Sequence, residues 1–297
     1  MQWPFRRKKT PAQLSLSKNF YLSVLSAAET LPPLLQVINP DGSNNAIKGF
    51  GAPLTEGTDR DILNRPIGPG SYVLTTIDKL TVIQMDVFPR SEVPQFQIPQ
   101  DPVALAATNL TGEALRRAQD ANMLTNFLFK GYDPGLYVSV QFMLEFVKRF
   151  AESSEAVVAD PLAETYRLPD QMKASPPMDV RIDFRDVGSV MLVRLPDGIW
   201  ISTRGLSKFD VPEIEMYGIP DELREPAAEM VVVAAQQVLV GVPMKESETA
   251  FSVQSPLEVV RGTRQLSDWG GRSALELRDR GGDGAARGVD AWLRRPK

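Results

Sequence analysis

Five acidic residues in the middle of the chain have the types and spacing to form a carboxylate cluster. They flank or lie within two predicted strands: Asp160, Glu164, Asp179, Asp183 and Asp186. Such a cluster can hold Mg²⁺ or act as general acid and base, and Asp160, Asp179 and Asp183 would be its metal ligands. The alternative is structural, because Asp179 and Asp183 alternate with apolar residues as on the solvated face of a strand. The structural alternative is favoured.

A second polar group lies in the segment TRGLSKFDVPEIEMYGIP (203–220). Four side chains could gather there at one end of a sheet and bind a partner: Arg204, Glu213, Glu215 and Tyr217. The competing interpretation is that the segment braces the core, with Gly205 permitting a sharp turn and Phe209 anchoring it. This second interpretation is favoured, and it implies that loss of Arg204 costs little stability if its charge is exposed.

The residue types that are missing exclude several classes of chemistry. The chain has neither cysteine nor histidine, so it has no disulfide, no thiolate nucleophile, no imidazole base and none of the usual zinc ligand sets. It also lacks the GxxxxGK[ST], GxGxxG and GxSxG motifs. No cofactor is therefore predicted, no catalytic residue is assigned, and any catalysis would rest on carboxylates, lysine, tyrosine or a magnesium-type metal.

Charge is distributed unevenly along the chain. The formal net charge is −4, although the first ten residues carry +4 and residues 262–297 carry +3, so residues 11–261 carry −11. An acidic body argues against specific nucleic-acid binding, which needs a concentrated positive surface. It suits a surface that pairs with a basic protein partner or with an identical subunit.

The periodicity of apolar residues predicts an α+β fold. Strands are expected at 19–27, 155–160, 178–187 and 213–218, with hairpins over 71–89 and about Pro196–Gly198. Helices are expected at 111–129, from Asp133 to Phe150 and from Asp221 to about Val240. The sheet is expected to be mainly antiparallel, with the helices packed on one face.

Composition divides the chain into a basic leader (1–18), an α+β body (19–261) and a Gly/Arg-rich tail (262–297). The body is either one domain or two subdomains, at about 19–170 and 171–261. The tail holds seven of the 21 glycines, and disorder is expected from about Arg272 onward. No apolar run is long enough for a transmembrane segment, and the interrupted apolar stretch after the leader favours a cytoplasmic location.

The segment TRGLSKFDVPEIEMYGIP resembles the T-x-G-L-x-x-F-G-x-P-E-L-E signature of a bacterial α+β domain family of unknown function. FVKRFAESSEAVVADPLAETYRLP (146–169) is similar to the helix and strand that precede this signature. The resemblance covers roughly residues 70 to 245 and departs from the pattern at Asp210, where glycine is usual. It implies a ferredoxin-like or related sandwich, a bacterial source and the immunity- or stress-associated role suggested for some relatives.

The sequence thus predicts a cytosolic bacterial protein that is non-catalytic and acts through protein–protein interaction. Its partner would be an unidentified protein or a second copy of the chain. The alternative is a carboxylate-dependent, magnesium-type enzyme of unknown substrate.

Overall fold

A computed structural model describes residues 20–38, 50–51, 64–76, 81–94, 96–131, 137–172, 182–251, 256–262 and 273–294. These residues form two compact units. The first unit runs to Met191 and also includes Arg204–Asp210, whereas the second comprises Leu192–Thr203 and the described residues after Asp210. The boundary between Met191 and Leu192 lies beyond the alternative division suggested near residue 170.

Residues with high strand propensity in the first unit form a seven-stranded sheet. Its strands are β1 (Tyr21–Ser26), β2 (Phe50–Gly51), β3 (Gly70–Thr76), β4 (Thr81–Pro89), β5 (Met123–Gly131), β6 (Val157–Asp160) and β7 (Thr165–Arg167). Their order is β2-β3-β4-β5-β1-β6-β7, and every neighbouring pair is antiparallel. The predicted strands at 19–27 and 155–160 and the paired strands of the 71–89 hairpin are confirmed. The turn of that hairpin lies outside the described residues.

The core of the first unit lies between this sheet and its helices. These are α1 (Leu34–Ile38), α2 (Pro102–Ala107), α3 (Gly112–Asp120), α4 (Tyr137–Ser153) and α5 (Phe184–Val187). The predicted spacing in α4 is confirmed, since Val140, Met143, Val147 and Phe150 are all fully buried. Phe150 lies edge-on to Phe127 of β5 with ring centres 5.1 Å apart. The predicted start of this helix at Asp133 lies outside the described residues.

Helix α3 covers a second apolar cluster formed with β1, β5 and β6. Ala114 and Ala118 of the helix pack with Leu25, Leu124 and Val157 of the strands. Small alanine side chains let the helix approach the sheet closely, and the side chains of the strands fill the remaining space. Helix α3 ends at Asp120, and the chain then continues into β5, the central strand of the sheet.

The second unit is built on a five-stranded sheet. Its strands are β8 (Ser189–Leu195), β9 (Gly198–Arg204), β10 (Glu213–Ile219), β11 (Leu257–Arg261) and β12 (Ala274–Asp279), in the order β11-β12-β10-β9-β8. Ser189–Met191 and Arg204 belong to the first unit. β10 and β12 are parallel, whereas β9–β10 and β11–β12 are antiparallel. The predicted hairpin about Pro196–Asp197 and the strand at 213–218 are confirmed.

Two helices accompany the second sheet: α6 (Arg224–Leu239), which packs against β10, and α7 (Ala286–Leu293), which packs against β12 and α6. The predicted helix from Asp221 is confirmed, with a 3-10 turn over Asp221–Leu223 before α6 begins. Gly241 follows its end with φ 82°, a left-handed conformation that favours glycine. The α+β class and the packing of helices on mainly antiparallel sheets are therefore confirmed.

Two predicted elements are wrong. The helix expected over 111–129 ends at Asp120, and residues 123–131 form β5. β5 is paired along its whole length with β4, so the tertiary ladder overrides the helical spacing. The strand expected over 178–187 is also wrong in its described part, because Phe184–Val187 form α5, with Asp183 at its N-cap. Residues 178–181 lie outside the described residues.

The expected disorder of the tail is wrong for residues 273–294. Strand β12 pairs with β10 on one side and β11 on the other, so it is interior to the second sheet. Asp279 then caps α7, since its two carboxylate oxygens accept the backbone N–H groups of Arg287 (3.0 Å) and Gly288 (2.7 Å). The alternating leucines Leu275 and Leu277 supply apolar surface that the glycine- and arginine-rich average conceals.

Candidate functional site

A buried lysine–aspartate pair lies at the end of β6. Lys208 Nζ donates to Asp160 Oδ2 and to the carbonyl oxygen of Val187, which is 2.5 Å away. The lysine is completely buried, and its Nζ lies 5.6 Å from the centre of the Phe20 ring. Asp160 Oδ1 accepts the backbone N–H of Ala163 at 3.0 Å. Each charge therefore has an opposite charge and a further hydrogen bond, as a buried pair requires.

A tight turn delivers Lys208 to this position. The 3-10 turn Leu206–Phe209 is bracketed by Gly205 (φ 110°) and Asp210 (φ 56°), both left-handed. A Cβ on Gly205 would lie 2.6 Å from the carbonyl oxygen of Val187, so only glycine fits there. Phe209 is buried against Phe20, with ring centres 5.9 Å apart. The packing role predicted for Gly205 and Phe209 is confirmed.

Arg204 is buried beside this turn. It is 4% exposed, and its Nε lies 3.4 Å from Glu164 Oε1. One terminal nitrogen also approaches the Met191 sulfur at 3.9 Å. A low stability cost for losing Arg204 was expected only if its charge were exposed, and it is not. Its burial makes this arginine part of the core.

The predicted carboxylate cluster does not assemble from the described residues. Asp160 is bound to Lys208, and Asp183 Oδ1 accepts the N–H of Arg185 as a helix cap. Asp179 lies outside the described residues. Within the ranges that the structure describes, no three acidic side chains come together as a metal site. Asp160, Glu164 and Asp183 thus serve two ion pairs and a helix end.

The other three residues of the predicted binding group lie on β10 in the second unit. Glu215 Oε2 accepts both the indole N–H of Trp200 and the hydroxyl of Tyr217, each at 3.1 Å. The two rings are stacked, with centres 5.8 Å apart and planes inclined by 13°. Glu213 Oε2 accepts the hydroxyl of Thr203 at 2.7 Å. Both glutamates are buried.

Arg204 belongs to the first unit, whereas Glu213, Glu215 and Tyr217 belong to the second. Each of the four residues has a partner on its own strand, on a neighbouring strand or in a turn. Buried groups bonded in this way fix the register of a fold. A binding role for these four residues stays a prediction.

A cavity in the first unit has a charged side chain, Arg90, in its lining. Its volume is about 880 Å³, and it is lined by Arg90, Phe96, Gln97, Ile98, Pro99, Gln100, Leu105 and Gln119. Arg90 begins the 3-10 turn after β4, and its Nη1 donates to the carbonyl oxygens of Ala118 (2.7 Å), Gln119 (3.1 Å) and Ala121 (3.3 Å) at the end of α3. The guanidinium thereby holds the helix end against β4.

The charge of Arg90 also acts on Tyr166 in β7. Burial raises the pKa of the Tyr166 hydroxyl, and the positive charge of Arg90 opposes this rise. The hydroxyl therefore keeps its proton at neutral pH and remains a hydrogen-bond donor.

Lys208 and Arg90 were both missed in the sequence. Asp160 and Lys208 are 48 positions apart, and no local pattern signals a pair at that separation. The three carbonyl groups that hold Arg90 belong to the backbone, which carries no residue type to read. The segment PQFQIPQDP (94–102) contains three prolines, which favour extended backbone in the residues before them. This pattern is the signal in the sequence for the segment that lines the cavity.

No protein-family model, curated protein or solved structure matches this chain. The resemblance to the bacterial domain family therefore stays a prediction. None of the helices in the described ranges combines the length and apolar character needed to cross a membrane.

Proposed function

We propose that this protein is a non-catalytic binding protein whose second sheet pairs, through the edge strand β8, with a strand of a protein partner or of a second copy. The outer edge of β8 carries the proposal. Within the described residues β8 is hydrogen-bonded to β9 alone. An edge strand presents a row of backbone donors and acceptors that another chain can extend.

The two edges of the second sheet differ. At β11 the outer edge is covered by a neighbouring segment, because Ser247 and Ala250 donate their N–H groups to Val259 and Leu257, at 2.8 and 3.1 Å. At β8 the described residues provide no such segment. The edge that lacks cover is the one available for pairing.

The side chains of β8 suit a protein partner. The part of the strand in the second unit reads Leu-Val-Arg-Leu, and Leu192 is 42% exposed. Arg194 donates two hydrogen bonds to the Asp221 carboxylate, at 2.5 and 2.7 Å. The one charged side chain in this part of the strand is therefore paired with an opposite charge. An edge without lysine or proline lacks the usual protection against pairing.

The alternative of a magnesium-type enzyme gains no support from the described residues. Asp160 and Asp183 are engaged by Lys208 and by a helix end, as described above. A binding protein of this kind fits the cytoplasmic, bacterial and immunity- or stress-associated setting that the sequence suggests.

The experiment compares Leu192→Lys with Val242→Lys, a control at an exposed apolar residue of the same unit that lies outside the strands. Sedimentation equilibrium measures self-association, and purification of the tagged protein from its own cells measures partner capture. We expect Leu192→Lys to lose the dimer or the stoichiometric partner and Val242→Lys to keep it, with equal melting temperatures. Retention of the same complex by Leu192→Lys, or a monomer that captures nothing, would refute the proposal.

A further inference from the structure

The cavity beside Arg90 has the volume of a small-molecule site. Its volume of about 880 Å³ falls within the range of roughly 300–1,000 Å³ that ligand pockets occupy. Arg90 is the charged residue of its lining, while Phe96, Ile98, Pro99 and Leu105 supply apolar surface. Gln97, Gln100 and Gln119 add amide groups, which can donate or accept. The lining as a whole carries one positive charge.

Arg90 is held in place but is not fully used. Its Nη1 is fixed by the three carbonyl groups at the end of α3, whereas Nε and Nη2 donate to none of the residues that the structure describes. Arg90 as a whole is only half-buried, and neither of these nitrogens belongs to the fully buried polar atoms that lack a partner. Because Nη1 already fixes the guanidinium, hydrogen bonds from Nε and Nη2 to a ligand would cost little additional rotamer freedom.

The acids closest in sequence to the lining have other partners. Asp101 accepts the N–H of Ala104 as the cap of α2, and Asp120 pairs with Arg116 at 3.0 Å. No carboxylate within 4.0 Å neutralises Arg90 in the described part of the chain. The helix-end carbonyls contribute partial negative charge, which fixes the orientation of Arg90 but leaves its formal charge.

We propose that this cavity binds a small carboxylate ligand with an apolar body. The carboxylate would accept hydrogen bonds from Nε and Nη2 of Arg90, the two-donor arrangement that matches carboxylate geometry. The apolar body would lie against Phe96 and Leu105, and the glutamine amides would bond to polar atoms at its rim. This site is independent of β8 and of the binding function proposed above.

The test uses benzoate as the probe and benzamide as its uncharged counterpart of the same shape. Inorganic phosphate supplies an anion without an apolar body. Binding is followed on the full chain by titration with two-dimensional NMR, in which the backbone amides of residues 96–98 and the side-chain amides of Gln97, Gln100 and Gln119 report on the cavity. We expect saturable shifts there for benzoate, with a dissociation constant on the order of 1 mM for so small a probe. Benzamide and phosphate should bind about tenfold more weakly or not at all.

Two variants separate ligand recognition from the structural role of Arg90. Arg90→Gln removes the charge but keeps an amide that can donate to the end of α3, and Gln119→Glu adds a negative charge to the lining while Arg90 is unchanged. Each should weaken benzoate binding by about tenfold. Lys130→Gln, an exposed cation of the same unit outside the lining, should change it by less than about twofold.

The outcomes are decisive in both directions. Loss of binding in Gln119→Glu at an unchanged melting temperature supports the site even if Arg90→Gln fails to fold. Equal binding of benzoate and benzamide, equal or stronger binding of phosphate, shifts confined to other residues, or no shifts up to about 20 mM probe, a range far above the expected constant, would overturn the proposal.

Discussion

Lys208 and Asp160 form the interaction in which a single residue change should have the largest effect. Lys208→Met leaves the Asp160 carboxylate buried without its counter-charge, so we expect the free energy of unfolding to fall by about 3–5 kcal/mol. The double variant Lys208→Met/Asp160→Asn removes both charges and keeps the acceptor for Ala163. It should recover at least half of that loss in urea denaturation. Equal stabilities of the single and double variants would contradict this cause, because the unpaired Asp160 charge would then cost nothing.

Asp210 occupies a backbone conformation that costs most residues free energy. Its φ of 56° lies in the left-handed region, which is unfavourable by about 1–2 kcal/mol for residues with a Cβ and less so for Asp and Asn. Asp210→Gly should therefore be about as stable as the parent protein or more so, whereas Asp210→Ala should be less stable by about 1 kcal/mol. Thermal denaturation of the three proteins tests this order of stability. A higher melting temperature for Asp210→Ala than for Asp210→Gly would contradict it.

Glu113 on α3 gives the first unit a pH dependence in acid. Its hydrogen bonds with Arg116 and Arg117 lower the pKa of the carboxyl from 4.5 to about 2. Because the pKa is lowered on folding, the stabilisation is complete above about 4.5 and is lost as the pH falls toward about 2. Comparison of the parent with Glu113→Gln should show a difference at pH 7 that narrows through this window and shrinks with salt, since the pair is exposed. A difference that persists at pH 2 would contradict this cause.

At the scale of elements, we expect the second sheet to require β12 for its formation. A chain that ends at residue 262 lacks β12 and α7, so β10 and β11 lose the neighbour they share. We expect this truncation to abolish cooperative unfolding of the second unit, while Asp279→Ala, which removes only the cap of α7, costs about 1 kcal/mol. Native-state hydrogen exchange of β9–β11 measures both effects. Unchanged protection of β10 after the truncation would show that β12 is dispensable.

The predictable elements are those whose pattern is local and whose neighbours agree with it. The buried stripe of α4, the hairpins and β6 were readable because their apolar spacing alone defines one buried face. β5 was misread because the helical stretch from Thr111 runs directly into it, and only pairing with β4 reveals the change. β12 was hidden by the glycines and arginines around a six-residue strand. Lys208 and Arg90 could not be identified from the sequence for a related reason, since their partners are distant in sequence or belong to the backbone.

At the scale of the whole molecule, the chain passes between the two units more than once. Arg204–Asp210 belongs to the first unit although the residues on both sides of it belong to the second. A chain ending at Met191 therefore contains Asp160 but not Lys208. We expect Asp160→Asn to raise the folded fraction of that truncated chain and to lower the stability of the full-length protein, because the buried charge has its partner only in the latter. Circular dichroism of the four proteins measures their folded fractions and stabilities. If Asp160→Asn stabilised both chains or destabilised both, the pairing of Asp160 with Lys208 would not be the cause.

The interior position of β12 also sets the order of events during synthesis. The ribosome makes β8, β9, β10 and β11 before β12, so the second sheet waits for its interior strand after four of its strands have emerged. During that interval one side of β10 and one side of β11 are unpaired, and unpaired strand edges are where nascent chains associate wrongly. The demand for chaperones should therefore be greatest late in translation, and slow codons between β11 and β12 would lengthen the exposure.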